Sequence, residues 1–217
     1  MLVFNSITFH FGKTPIFEDI SMNFENGKTY GIVGANGVGK TTLFRSISGL
    51  YQLNKGQILL DYKPINSTKV SFLPTDPFFY PYMKGLEYFK IIHQNEDQLQ
   101  DSIKLAETLN VPLDHLVDTY STGMKKKLAF VARYSQNKAV SIYDEPFNGV
   151  DLESNEVLLK LLQKKKEQKI TLVSSHILSM LYEVCDEIIH IETGFEVSTY
   201  LPSNYAELKN KIRGSVL

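Results

Sequence analysis

KTYGIVGANGVGKTTLFRSISG, residues 28–49, runs from an apolar strand pattern through a glycine-rich turn into a helical pattern. Within it, Gly34-Ala35-Asn36-Gly37-Val38-Gly39-Lys40-Thr41 fits G-x-x-x-x-G-K-[ST] with no departure. The chemistry follows from the residue types. Gly34, Gly37 and Gly39 let the backbone turn tightly and approach an anion without a Cβ in the way. Successive N–H groups and the start of the helix then face phosphate. Lys40 adds a point charge for the β- and γ-phosphates, and Thr41 offers a hydroxyl to Mg²⁺. Asn36 and Thr42, inside and just after the loop, join the expected nucleotide-binding set.

A phosphate loop needs a metal partner, and KAVSIYDEP (138–146) supplies one: an apolar strand ending in two acids and a proline. In a parallel sheet, ligands sit at the carboxyl ends of strands. Asp144 is therefore placed to hold Mg²⁺. Glu145, the next residue, is placed to polarise an attacking water as general base.

Around these two segments the chain alternates unevenly. Strand patterns cover LVFNSITFH, FEDISMNF, KTYGIVG, GQILL, KVSFL, KAVSIYD, KITLVSS and DEIIHIE. Helical patterns cover KTTLFRSISGL, GLEYFKIIHQ, DQLQDSIKLAETLN, STGMKKKLAFVARYSQ, LESNEVLLKLLQKKKEQ and ILSMLYEVC. The strand–helix alternation of 139–191 predicts a parallel sheet with crossover helices. Early strands with no helix between them predict an added antiparallel layer. Three helices over 85–136 read as an insertion. The predicted architecture is α/β: a P-loop NTPase core with a parallel sheet, an antiparallel β layer and an inserted α-helical subdomain. Its core is placed at 1–76 and 138–217, its helical part at 77–137.

Composition fits. Of 217 residues, 43% are hydrophobic, enough for a sizeable core, and the formal net charge of -1 gives no general field for nucleic acid. The lysine runs KKK (125–127) and KKKEQK (164–169) lie on helical patterns and read as solvated faces, so no nucleic-acid partner is expected. The single cysteine, Cys185, excludes an intrachain disulfide and reads as a small core hydrophobe. No apolar stretch approaches the ~20 residues that span a bilayer, and MLVFNSITFHFGK lacks the apolar run of a signal peptide.

Three further segments give the chain a resemblance to ATP-binding-cassette ATPases. YSTGMKKKLAFVAR resembles the family signature usually written LSGGQ, FNGVD resembles the D-loop, and TLVSSHILSMLYEVCDEIIHIETG resembles the switch-histidine segment. Order and spacing match from about residue 2 to 197. Read locally, Ser121 is a helix N-cap, Asp151 a turn acid at a helix start, and His176 a cap or packed ring. The resemblance implies more. Ser121 and Gly123 would touch the γ-phosphate of ATP held by another subunit, so that two copies, or this chain and a paralogue, sandwich two ATP molecules head to tail. Asp151 would communicate across that dimer. His176 would contact γ-phosphate and orient the water. Phe11 would stack on adenine, with sheet core as the plainer reading.

One segment departs from the pattern. The family carries a glutamine after the strand matching KVSFLP; here Thr75 stands there, followed by Asp76. Thr75 is too short to replace the amide, and slower or differently coupled hydrolysis is expected. The connector VSFLPTDPFFYPY (70–82) is stiffened by three prolines. Its Phe78, Phe79, Tyr80 and Tyr82 read either as core packing or as an exposed patch that receives a membrane-spanning transporter subunit. The expected function is an ATP-hydrolysing subunit of an ABC transporter, cytoplasmic and peripheral through its partner. The YSTGM signature and the short tail YLPSNYAELKNKIRGSVL point to the export type. A soluble mechanical ATPase in a non-transport assembly, such as cluster assembly, is the alternative. An ATP-gated binding module is a third.

Overall fold

The computed structural model describes residues 1–164, 169–192 and 196–214. The centre of the KKKEQK run, the helical prediction beyond residue 164 and the Thr193-Gly194 end of the switch segment lie outside the described residues.

Two sheets face each other across one helix. The antiparallel sheet has the order β2-β1-β4-β5, from β1 (Leu2–Phe11), β2 (Thr14–Phe24), β4 (Lys55–Leu60) and the short β5 (Lys63–Pro64). The second sheet has the order β10-β9-β3-β8-β7-β6. Its strands are β3 (Thr29–Val33), β6 (Val70–Leu73), β7 (Val140–Asp144), β8 (Ile170–Ser174), β9 (Glu187–Ile191) and β10 (Val197–Tyr200). All its pairings are parallel except that of β10 with β9.

Side-chain alternation explains why this sheet is covered on both faces. Ile32, Val140, Ile142, Ile170, Leu172, Ile189 and Ile191 pack with the antiparallel layer. α1 (Lys40–Ile47) lies between, burying Leu43, Phe44 and Ile47 in the same core. Val33, Tyr143, Val173 and Ile188, one residue out of phase, join the core on the other face. Cys185 belongs to it, buried and free; burial pushes its thiol well up.

That second core is closed by α2 (Gly85–Ile92), α3 (Glu96–Thr108), α4 (Thr122–Ser135), α5 (Leu152–Gln163), α6 (Leu178–Val184) and α7 (Tyr205–Gly214). Helices α2 to α4 pack on one another, and α4 also touches β6 and β7. The tail is more than a plain extension: β10 and α7 escape the sequence patterns, because β10 is only four residues and, among the described residues of α7, Tyr205 and Leu208 are the buried ones. Among the described residues, no helix is long and apolar enough to cross a membrane.

Candidate active site

The glycine-rich turn links the carboxyl end of β3 to α1. Gly39 caps α1 in a left-handed conformation with no side-chain cap, which leaves the first-turn N–H groups to the loop. Lys40 is buried and its Nζ donates to the carbonyls of Gly34 at 2.7 Å and Ala35 at 3.1 Å. Burial pushes its ammonium below the usual 10.5, and the Glu145 and Asp144 carboxylates oppose that.

Asp144 ends β7 and is almost fully buried. Its Oδ2 accepts from the Thr41 hydroxyl at 2.7 Å, and its Oδ1 accepts from the Ser174 hydroxyl at 2.6 Å. Ser174 is a residue that the sequence reading missed. It stands opposite Asp144 in the parallel β7–β8 register, and register is invisible in a single sequence. Ser174 Oγ also accepts from the Glu145 N–H at 3.0 Å.

Glu145 is buried and holds φ at 53°, a left-handed conformation uncommon outside glycine. Its Oε2 accepts from the His176 N–H at 3.2 Å. Its Oε1 lies 3.2 Å from His176 Nε2 but is not aligned for a hydrogen bond, so this oxygen has no donor among the described residues. Thr41, Asp144, Glu145 and His176, read from three separate motifs, thus form one bonded cluster with Ser174, and Lys40 adjoins Thr41 in the loop.

The donors for a metal there are hard oxygens, the Thr41 hydroxyl and the Asp144 carboxylate. They suit Mg²⁺, which takes one or two protein ligands and keeps phosphate and water for the rest. Among the described residues no group of three or more His, Cys, Asp or Glu could hold a metal ion, in keeping with that division.

The signature and D-loop form a second bonded unit. Ser121 caps α4, accepting from the Met124 N–H at 3.2 Å. A Cβ added at Gly123 would stand 2.8 Å from the Gly149 carbonyl oxygen, so the two backbones touch only because no side chain intervenes. Asp151 caps α5: its carboxylate accepts from the Ser154 N–H at 2.8 Å and the Ser154 hydroxyl at 2.9 Å. Lys127 Nζ reaches the Asp151 carboxylate at 3.4 Å and Ser154 Oγ at 3.2 Å. No hydrogen bond or ion pair among the described residues joins Ser121 or Gly123 to the Lys40–Asp144 cluster.

The Ser154 hydrogen bonds hold the Asp151 carboxyl at about 2, below the usual 3.8. A carboxyl depressed in the fold stabilises it above the unfolded value and loses that contribution as pH falls through the folded one. Asp151→Ala should therefore cost about 1 kcal/mol near neutral pH. The gap between variant and parent should close as pH falls from 3.8 to about 2. Urea unfolding near neutrality and in acid measures both; equal stabilities at neutral pH would remove the cap from the account.

Three expectations are corrected. The 125–127 run is not a solvated face, because Lys126 and Lys127 are each only 7% exposed. Their charges are met by the Glu145 carbonyl just after β7, the Asp151 carboxylate of the D-loop and the Ser154 hydroxyl of α5. Phe79 is not part of an exposed patch: it packs on Tyr88, ring centroids 4.8 Å apart. Phe78, Tyr80 and Tyr82 are exposed at 71%, 60% and 82%. Phe11 is not sheet core; it is half-exposed, edge-on to Phe9 and Tyr51.

Comparison with known proteins agrees with this geometry. A sequence profile described as ABC transporter matches residues 17–148. The SkfA peptide export ATP-binding protein SkfE of Bacillus subtilis is 30% identical over 189 residues, 82% of this chain and 79% of that protein. The methionine import ATP-binding protein MetN of Clostridium tetani is 30% identical over 209 residues, 88% of this chain and 65% of that protein. A solved dimeric ATP-binding cassette in a post-hydrolysis state, bound to ADP and Pi, superposes with a TM-score of 0.80 at 17% identity, over 93% of this chain and 99% of that one. A P-loop bonded through Thr41 to the acidic end of β7, inside a fold and sequence of this kind, leads to one conclusion: the chain belongs to the ABC transporter family, as an ATP-binding and ATP-hydrolysing subunit.

Proposed function

We propose that Lys40, Thr41, Asp144, Glu145 and His176 carry the hydrolysis of ATP as follows. The P-loop amides and Lys40 hold the phosphates, Lys40 exchanging the Gly34 and Ala35 carbonyls for phosphate oxygens. Asn36 and Thr42 flank that grip. Thr41 and Asp144 would hold Mg²⁺, which neutralises phosphate charge when bound. Glu145 takes a proton from the attacking water, and His176 contacts the γ-phosphate and orients that water, while its N–H fixes the Glu145 carboxylate. The observation that carries this is the Glu145 carboxylate: buried, accepting from the His176 N–H on one oxygen and, among the described residues, without an aligned hydrogen-bond donor on the other, which lies 3.2 Å from His176 Nε2. A buried acceptor lacking a donor is costly unless it has a task. Hydrolysis is slowed by Thr75, half-buried where an amide would stand; Thr75→Gln should raise the single-turnover rate.

Ser121 and Gly123 face ATP held by a second cassette, with Asp151 and Phe11 completing the dimer contact and the adenine site. The dimeric state of the solved relative supports this. Residues 77–137 act as a helical subdomain on a core of 1–76 and 138–217, in keeping with the mutual packing of α2, α3 and α4. The direction of transport is set by the membrane partner, since the likeness extends to an exporter's and an importer's subunits alike.

That partner docks on the connector, which brings the chain to the cytoplasmic face of the membrane. Phe78 and Tyr80, edge-to-face at 5.1 Å, line an apolar groove of about 250 Å³ with Pro77, Met83 and Ile91. A short helix of the membrane subunit fits such a groove. Affinity purification from detergent-solubilised membranes should recover a multi-span protein with the parent chain and little of it with Phe78→Ala/Tyr80→Ala. Equal recovery with both would move docking elsewhere. Recovery of soluble assemblies only would favour a non-transport ATPase.

A further inference from the structure

Lys126 is a buried cation on α4, far in sequence from the acids that surround it. Its Nζ donates to the Glu145 carbonyl oxygen at 3.4 Å. Burial pushes its ammonium below the usual 10.5, and the carboxylates of Asp76, within the connector, of Glu145 and of Asp144 oppose that. An isolated buried ammonium is costly, and these negative groups are what make this burial tolerable.

The Glu145 main chain needs such a contact. A non-glycine residue at a φ of 53° persists only where its surroundings over-determine it. Among the described residues, four groups hold Glu145. The Ser174 hydroxyl accepts from its N–H, and the His176 N–H donates to its carboxylate. Both come from β8 and the turn after it. The other two meet its carbonyl, the Asn148 N–H of the following turn and Lys126 Nζ, each at 3.4 Å, and Lys126 is the one supplied by the helical part of the chain.

We propose that Lys126 is a positioning residue for ATP hydrolysis: by donating to the Glu145 carbonyl it fixes the Glu145 main chain and ties the aim of that carboxylate to the seating of α4. The inference rests on Glu145 being the general base. It gives the helical part of the chain a route to the reacting water. A shift of α4 moves Lys126, and Lys126 moves Glu145. Nucleotide binding, built on the P-loop, is left out of that route.

Single-turnover hydrolysis by the purified chain, with protein in excess over ATP, tests it alongside the affinity for a fluorescent ATP analogue. Lys126→Met should lower the hydrolysis rate by about tenfold or more, as small misplacements of catalytic groups do, with nucleotide affinity within about twofold of the parent. Lys126→Arg should restore most of the rate. A rate within about twofold of the parent for Lys126→Met overturns the proposal. So does a joint loss of rate and affinity that Lys126→Arg does not rescue. Should Lys126→Met fail to fold, Lys126→Gln, shorter and uncharged, decides on the same readout. Glu145→Gln separates the two readings: if it still hydrolyses ATP, the base is elsewhere; if it does not while Lys126→Met does, this inference alone fails.

Discussion

Glu145→Gln should stop ATP hydrolysis while ATP still binds. The amide keeps the shape of the side chain, and its oxygen can still accept from the His176 N–H, now at 3.2 Å. What it loses is the ability to take a proton. Positioned general bases contribute about 10²–10⁴-fold, so single-turnover hydrolysis should fall at least about 100-fold. Affinity for ATP should stay close to that of the parent, because Lys40 and the loop amides are untouched. If two cassettes close on ATP, the variant should also elute as a dimer with ATP and as a monomer without it. A rate within a few-fold of the parent would remove Glu145 from the chemistry. A variant that hydrolyses nothing and binds no ATP would point to a folding defect at the strained φ rather than to a lost base.

The second large effect falls on Gly34. Its φ is +154°, and a Cβ placed there would stand 2.4 Å from the Ile191 carbonyl oxygen and 2.9 Å from Val38 Cγ1. The first contact is with backbone in β9, whose Ile191 is paired to Val197 of β10; it cannot swing aside as a side chain could. Gly34→Ala must therefore shift the loop. Overpacking of this kind costs about 1–3 kcal/mol, and the shift lands on the carbonyl that receives Lys40. ATP affinity should drop by about tenfold or more, since each ~1.4 kcal/mol is tenfold in binding. Gly37→Ala is the contrast. Nothing lies within 4 Å of its Cβ position, and only the positive φ of 81° opposes it. It should be the milder of the two, and equal affinities for both variants would mean that steric fit to β9 does not shape the loop.

Residues that work as consecutive runs were legible. The P-loop can be read because its glycines, lysine and threonine act through adjacent backbone. The two-faced sheet can be read because alternation repeats along each strand. The Asp144-Glu145 end of β7 can be read because a parallel sheet presents strand ends to ligands. Long-range neighbours were not. Ser174 reaches Asp144 through β7–β8 register, which no local pattern encodes. Lys126 and Lys127 look like a charged surface because burying ammonium groups is costly, and the acids that offset the cost come from the connector, β7 and the D-loop. Phe78 and Phe79 are adjacent aromatics of the same composition, yet one is exposed and the other packs on Tyr88 of α2.

By itself, then, the sequence determined that this chain carries a phosphate-binding loop, an acidic strand end and a cassette ordering of motifs, because each depends on neighbours in the chain. The tertiary structure alone decided how they meet: Thr41 and Ser174 on the two oxygens of Asp144, and Glu145 held between Ser174, His176 and Lys126. Those contacts join residues 19 to 103 positions apart, and only the packing of β3, β7, β8 and α4 brings them within hydrogen-bonding distance.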